Sequence, residues 1–319
     1  MSIADHDRPG PGTLRGLRAI TTADGRVAAV AVDQRQALRT MLAAAGAPAG
    51  AADLRAFKLA VARALGDVAP ALLVDPQYGL PAIAGDPSVS ARLPLLVAIE
   101  ESGTVAWKGG ERSVGLAGWG PQEARNAGAC AAKLLVYLRA DHPATLEHGL
   151  ALATSVRRAC RAADLPFILE LVPFPLADED PTTYAAAFGR HVRAIAEVGA
   201  SLAPDLLKIP FPSPLGSDDP ETGALAALAE LGVPWAVLSA GADVDRFVGR
   251  VLRSLDEGGA VGLIAGRALW KDAVGARDVA AALAAGARPR LERLLATIAG
   301  RGRPLPLPAV SDDPGWFRR

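Results

Sequence analysis

Eight short apolar runs, each followed by a turn and most of them by a longer segment of helical period, limit this chain to very few folds. The runs cover residues 27–32, 71–74, 95–99, 131–137, 167–172, 205–209, 235–239 and 261–265. Between and after them, helical spacing predicts helices at about 36–45, 51–65, 121–128, 145–163, 181–198, 221–231, 243–256 and 276–298, with a short one at 14–21 before the first run. Gly46, Gly66, Gly128, Gly199, Gly232 and Gly258 stand where glycine commonly stops a helix. Strands apolar on both faces and alternating with helices imply a parallel sheet covered by helices, and eight units imply that it closes. The expectation is an α/β fold, a single (β/α)8 TIM barrel. An open doubly wound sheet would place a glycine-rich turn after its first strand; here that turn is Asp33-Gln34-Arg35-Gln36, without glycine.

The expected organisation is a flexible lead-in at 1–12, the barrel at 13–299 and a Pro-rich tail at 300–319. The tail carries Pro304, Pro306, Pro308 and Pro314, with Trp316 and Phe317 available to dock it. Lys+Arg and Asp+Glu both number 34. That balance gives no global field favouring a nucleic-acid or anionic-membrane partner. No apolar run is long enough to cross a bilayer, and residues 1–7 lack a signal-peptide pattern, so a cytoplasmic protein with no membrane partner is expected. A homo-oligomer is left open, because apolar stretches such as 279–285 serve an interface or a barrel equally well.

Cys130 and Cys160 are too few for a disulfide framework or a thiolate zinc site. His6, His142, His148 and His191 form no close ligand pair, and none ends an apolar run. No metal site and no cofactor are expected.

Only five of the 34 basic residues are lysines, leaving 34 − 5 = 29 arginines. One of the five, Lys208, lies in the apolar run Asp205-Leu206-Leu207-Lys208-Ile209. A buried ammonium is costly, so such a lysine reaches water, pairs with an acid or gives up its proton. A desolvated lysine can attack a carbonyl as the free amine, which arginine cannot do. The alternative is a side chain that snorkels to the surface from a strand end.

In a barrel, polar residues at the carboxyl ends of the strands share one mouth. Those residues are Asp33, Gln34 and Arg35 after the first run, Asp75 and Gln77 after the second, Glu100 after the third, and Lys133, Glu170 and Lys208 within the fourth, fifth and sixth. Two lysines with several carboxylates form a kit for imine chemistry: Lys208 as nucleophile, Lys133 as a second cation disfavouring its ammonium, Glu170 moving protons, and Asp33 orienting a lysine or a hydroxyl. A structural ion pair is the plain alternative for each; their convergence favours a site. Ser239 and Gly241 close the seventh run and Gly266 and Arg267 the eighth, where barrels often cradle a phosphate.

These residues carry a family likeness. The blocks Ala31-Val32-Asp33-Gln34-Arg35, Phe57-Lys58, Val74-Asp75-Pro76-Gln77-Tyr78-Gly79, Ala132-Lys133-Leu134-Leu135, Phe167-Ile168-Leu169-Glu170, Asp205-Leu206-Leu207-Lys208, Leu238-Ser239-Ala240-Gly241 and Ala265-Gly266-Arg267-Ala268-Leu269-Trp270 stand in family order over about residues 27–299. The chain resembles the class I tagatose 1,6-bisphosphate aldolases and the related 6-deoxy-6-sulfofructose-1-phosphate aldolases. The resemblance implies that Lys208 forms a Schiff base with a ketose 1-phosphate, assisted by Glu170 and Lys133. It further implies that Ser239, Gly241, Gly266 and Arg267 hold the phosphate that leaves on dihydroxyacetone phosphate. Gln34, Arg35, Asp75 and Gln77 are the expected further substrate-binding residues. One departure from the family is Pro210, where a Glu usually stands two positions after the lysine.

The expected activity is a metal-independent carbon–carbon lyase acting on a small-molecule sugar phosphate. A non-catalytic sugar-phosphate sensor working through a protein partner is the alternative, and the intact Lys133, Glu170 and Lys208 set argues against it. A metal-dependent aldolase lacks its histidines.

Overall fold

The structure, a computed structural model, describes residues 9–307. The chain opens with α1 (Pro11–Ala19), β1 (Val27–Ala31), α2 (Gln36–Ala44), α3 (Ala51–Leu65), β2 (Leu72–Val74), α4 (Gly79–Ala84) and β3 (Leu95–Ala98). An antiparallel hairpin of β4 (Val105–Trp107) and β5 (Gly110–Arg112) leads to α5 (Pro121–Asn126) and β6 (Ala131–Tyr137). Then come α6 (Pro143–Ala162), β7 (Phe167–Val172), α7 (Pro181–Ser201), β8 (Leu206–Pro210) and α8 (Ala224–Ala229). The last units are β9 (Trp235–Leu238), α9 (Val244–Asp256), β10 (Gly262–Ala265), α10 (Arg267–Trp270), α11 (Val279–Ala282) and α12 (Arg288–Ile298). Eight parallel strands close in the order β1-β10-β9-β8-β7-β6-β3-β2.

Side chains alternate across a strand, so a closed sheet sorts each run into two sets. Ala28, Val30, Leu72, Val97, Leu134, Leu169, Leu207, Ile209, Val237 and Leu263 join the large core between strands and helices. Val27, Ala29, Ala31, Leu73, Leu96, Ala131, Ile168, Leu206, Ala236 and Ile264 fill the barrel interior. Each fully buried Leu, Ile or Val contributes roughly 1.5–3 kcal/mol by leaving water. Leu17 and Ile20 also belong to the interior set, so α1 plugs the amino-terminal end. Asp164 fastens it there, accepting from the Gly12 and Thr13 backbone N–H groups. The interior is therefore solid from its amino-terminal end up to the mouth.

Several boundaries differ from the sequence expectations. The lead-in is shorter than 1–12, because Pro11 and Gly12 already belong to α1; proline suits a helix start, where its missing N–H has no intrahelical partner to lose. Gly199 does not stop a helix. It lies inside α7, and a Cβ there would stand 2.5 Å from Leu171 Cδ1 and 3.1 Å from Leu207 Cδ2, so this glycine lets the helix lie close on β7 and β8. The left-handed residue after α7 is Ala203, at φ 46°. The single helix expected at 276–298 is interrupted by a π turn at Leu283–Ala287 just ahead of Pro289, which has no N–H for an i−4 bond. Of the tail, residues 300–307 run along the barrel: Leu305 N–H donates to Gly25 O at 2.8 Å, and Arg26 donates to the Arg301 and Gly302 carbonyls. Pro308, Pro314, Trp316 and Phe317, like residues 1–8, lie outside the described residues.

Candidate active site

The same alternation that fills the barrel aims the charged side chains. Ala29 and Ala31 face inward, and Asp33 is the next position of that parity; Leu96, then Glu100, follow the same rule on the β3 side. Ala131 leads to Lys133, Leu135 and Tyr137; Ile168 leads to Glu170 and Val172; Leu206 leads to Lys208 and Pro210. All of these except the interior-filling residues line one cavity of about 390 Å³ at the carboxyl ends of the strands. Lys208 thus points into the barrel, not out among the helices.

Within the cavity the ion pairs form one connected group. Lys133 Nζ lies 2.9 Å from Asp33 Oδ2, 2.7 Å from Glu100 Oε1 and 2.8 Å from Glu170 Oε2. Lys208 Nζ lies 2.9 Å from the same Glu170 oxygen. Glu100 is held in turn by the Leu135 N–H at 3.1 Å. Burial opposes ionisation of Asp33 and Glu170, but Lys133 and Lys208 outweigh it and hold both carboxyls below their ordinary range. Burial likewise opposes the Lys133 ammonium, and Asp33, Glu100 and Glu170 outweigh it, raising Lys133 well above the usual lysine range. Lys133, expected simply as a second cation beside Lys208, is the centre of this group and is matched by three carboxylates.

The substrate-binding residues expected from sequence divide. Asp33 Oδ1 and Gln34 Oε1 are buried acceptors without a hydrogen-bond partner among the described residues, free to receive hydroxyl donors. Arg35 lines the cavity while its Nη2 donates to Glu100 O at 2.6 Å and its Nη1 to Gln77 Oε1 at 3.2 Å. Gln77 braces that guanidinium and is not among the residues of the cavity wall. Asp75, expected to meet substrate, is instead fully buried behind the wall, 2.6 Å from Lys58 Nζ. It also accepts the Gln77, Tyr78 and Gly79 N–H groups where α4 begins. Lys58 donates to the Val32 and Gln34 carbonyls, so this pair anchors the backbone on both sides of Asp33.

The two glycine turns lie side by side. Ser239 Oγ accepts from Gly266 N–H at 3.3 Å. Of the four expected phosphate residues only Arg267 is on the cavity wall, its guanidinium without a hydrogen bond or ion pair to the described residues, while Ser239 and Gly266 are not among the wall residues and Gly241 lines a second pocket alongside. Gly241 adopts φ 80°, and a Cβ on it would stand 3.7 Å from Arg267 Cζ, so the turn lies close against the guanidinium. Pro210 remains in β8, registered with Leu238, so the missing N–H does not break the pairing there. Sequence reasoning missed Tyr137, Glu101 and Ser102 on the cavity wall. Tyr137 was recoverable, since it shares the parity of Lys133; the loop residues carried no periodic signal. Burial, then the nearby Glu170 charge, raise the Tyr137 hydroxyl above its usual range.

A closed barrel with two lysines and three carboxylates around one mouth defines a class of barrel built for chemistry on carbonyl compounds. The sequence places it more closely: residues 27–272 match the DeoC/LacD family aldolases, and the chain belongs to that family. Tagatose 1,6-diphosphate aldolase 2 of Enterococcus faecalis is 29% identical over 283 residues, covering 82% of this chain and 84% of the relative. Among solved structures, fructose-bisphosphate aldolase from Plasmodium falciparum superposes with a TM-score of 0.69 at 13% identity, covering 94% of this chain and 96% of the other. An archaeal fructose-1,6-bisphosphate aldolase, solved with its catalytic lysine bound to the carbinolamine intermediate, gives 0.58 at 19% identity, covering 90% and 99%. These two likenesses establish the shared barrel.

Proposed function

We propose that this protein is a class I aldolase that cleaves a ketose 1-phosphate, of the tagatose 1,6-bisphosphate or 6-deoxy-6-sulfofructose 1-phosphate kind, to dihydroxyacetone phosphate and an aldehyde. The observation that carries the reading is the Lys208–Glu170 pair, 2.9 Å apart on the wall of the cavity. Transfer of one proton from Lys208 to Glu170 yields at once a free amine and a carboxylic acid. The amine nitrogen bonds to the keto carbon, the oxygen takes up the amine's proton as a hydroxyl, and Glu170 then protonates that hydroxyl as it leaves as water. The iminium formed is an electron sink. Glu170, again ionised, removes the proton of the C4 hydroxyl; the C3–C4 bond breaks, its electrons pass to the enamine, and the aldehyde departs. Protonation and hydrolysis release dihydroxyacetone phosphate and restore Lys208.

The remaining groups fit this sequence. Lys133, held as an ammonium by its carboxylates, stabilises the ionised Glu170. Asp33 Oδ1 and Gln34 Oε1 receive substrate hydroxyls, and Arg267 with the Ser239, Gly241 and Gly266 turns takes the phosphate. Borohydride added with dihydroxyacetone phosphate is expected to reduce the imine and leave a stable adduct on Lys208, located by peptide mass spectrometry. An unmodified Lys208, or full turnover by Lys208→Ala, would overturn the proposal. A panel of ketose mono- and bisphosphates, with and without a 6-sulfonate, then identifies the aldehyde half.

A further inference from the structure

Beside the main cavity lies a second pocket of about 260 Å³, between the segment after β8 and the turn after β9. Phe188, Pro210 and Ala240 belong to both walls, so three uncharged residues stand between the two spaces. On its far side stand Arg246 and Arg250, one turn apart on α9 and only partly exposed, at 28% and 13%. Both donate through Nε to a single carboxylate oxygen, Asp218 Oδ1, at 2.5 and 2.9 Å. Their Nη2 groups hold the Gly216 and Ser217 carbonyls. Neither Nη1 has a hydrogen-bond partner among the described residues. Arg250 also lies over the Phe211 ring, 5.7 Å from its centroid, which fixes its plane.

Arg246 and Arg250 share the Asp218 carboxylate, and Asp243 is a second acid acting on both, so two guanidiniums are held close together in a half-enclosed space. Burial, and then Arg246 alongside, lower the Arg250 pKa from its ordinary value; an added anion would relieve that crowding. Guanidiniums fixed by packing and backbone contacts suit a tetrahedral oxyanion, because their free N–H groups are already oriented. A role confined to bracing the loop at 216–218 would not call for an open pocket in front of them.

We infer that this side pocket is a second oxyanion subsite, receiving a phosphate or sulfonate group between Arg246 and Arg250. Its occupant is either the distal anionic group of a substrate whose keto carbon is at Lys208, which rests on the aldolase reading above, or a free phosphate. Phe188, Pro210 and Ala240, uncharged and shared by both walls, set the side pocket directly beside the cavity that holds Lys208.

Calorimetric titration with inorganic phosphate tests the subsite without turnover. The intact protein is expected to bind one phosphate near Arg267 and another in the side pocket. Arg267→Gln keeps the side-pocket binding, whereas Arg246→Gln weakens it about tenfold. Asp218→Asn, an exposed change that frees both guanidiniums from their counter-ion, strengthens it several-fold and decides the matter should Arg246→Gln fold poorly. Unchanged phosphate binding in a folded Arg246→Gln, or in Asp218→Asn, overturns the inference. Displacement of both phosphates by a ketose bisphosphate assigns the pocket to the substrate's distal group; displacement of only the one near Arg267 assigns it to free phosphate. A missing borohydride adduct at Lys208 would sink the aldolase reading and leave the titration result standing.

Discussion

At the scale of single residues, the site is decided by a contest between burial and pairing. Lys133, Asp33, Glu100 and Glu170 are each at most a tenth exposed, so an unpaired charge on any of them would be strongly unfavourable. Pairing wins, and the directions of the pKa shifts show it. Asp33 and Glu170 titrate below their unfolded values, so they contribute stability above the unfolded carboxyl range that is lost as pH falls through their folded values. Lys133 titrates above its unfolded value, so its contribution is complete below that value and is lost only as pH rises through the folded one. Removing Lys133 reverses the acid side. Lys133→Met is expected to cost about 3–5 kcal/mol near pH 7, and to recover part of it near pH 5 as the stranded carboxyls take up protons. Urea melts at the two pH values would show this; a penalty independent of pH would count against the charge argument. Glu170→Gln keeps the shape and loses the proton carrier, and turnover should fall roughly 10²- to 10⁴-fold with the phosphate affinity little changed.

At the scale of elements, period-2 parity does most of the positioning, and it was readable in advance. Leu206, Lys208 and Pro210 had to face one way and Leu207 and Ile209 the other; only the closure of the sheet says which way is in. Close approaches between elements were not readable, because they depend on distance in space. Gly262 shows this well. It stands opposite Val27 at the β1–β10 seam at φ 149°, and a Cβ would overlap the Val27 carbonyl, a backbone group that cannot swing aside. Gly262→Ala is therefore expected to destabilise the barrel by more than ~2 kcal/mol, measured as a lower denaturation midpoint. Gly199→Ala meets only the ends of Leu171 and Leu207 side chains and should cost less. The same distinction explains the misread stop at Gly199: a glycine needed for clearance looks like one needed for a turn. The hairpin of β4 and β5 and the short α4 and α10 escaped because each is too brief to establish a period.

For the molecule as a whole, closure couples ligand binding to stability. The cavity wall is drawn from seven of the eight barrel units, from Asp33 after β1 round to Arg267 after β10, so a bound ligand bridges distant parts of the chain. Anything that binds only the folded barrel raises its apparent stability, by about 2.7 kcal/mol at one hundred times its dissociation constant. Dihydroxyacetone phosphate should thus raise the melting temperature of the intact protein. Lys208→Ala should keep part of that rise through the phosphate contacts, and Arg267→Ala should lose most of it. An equal rise in all three would place the ligand elsewhere.

The sequence by itself determined the eight-fold alternation, the parity of each strand and the chemical types at the strand ends, since all three follow from local spacing. Tertiary structure alone decided which of those residues share a cavity: it sent Asp75 behind the wall with Lys58, gathered three carboxylates on Lys133, and set Arg246 and Arg250 in a second pocket that Pro210 also lines. The reason is physical. Strand parity is fixed over two residues of backbone, whereas the contacts of a charged side chain depend on neighbours brought together by closing the ring.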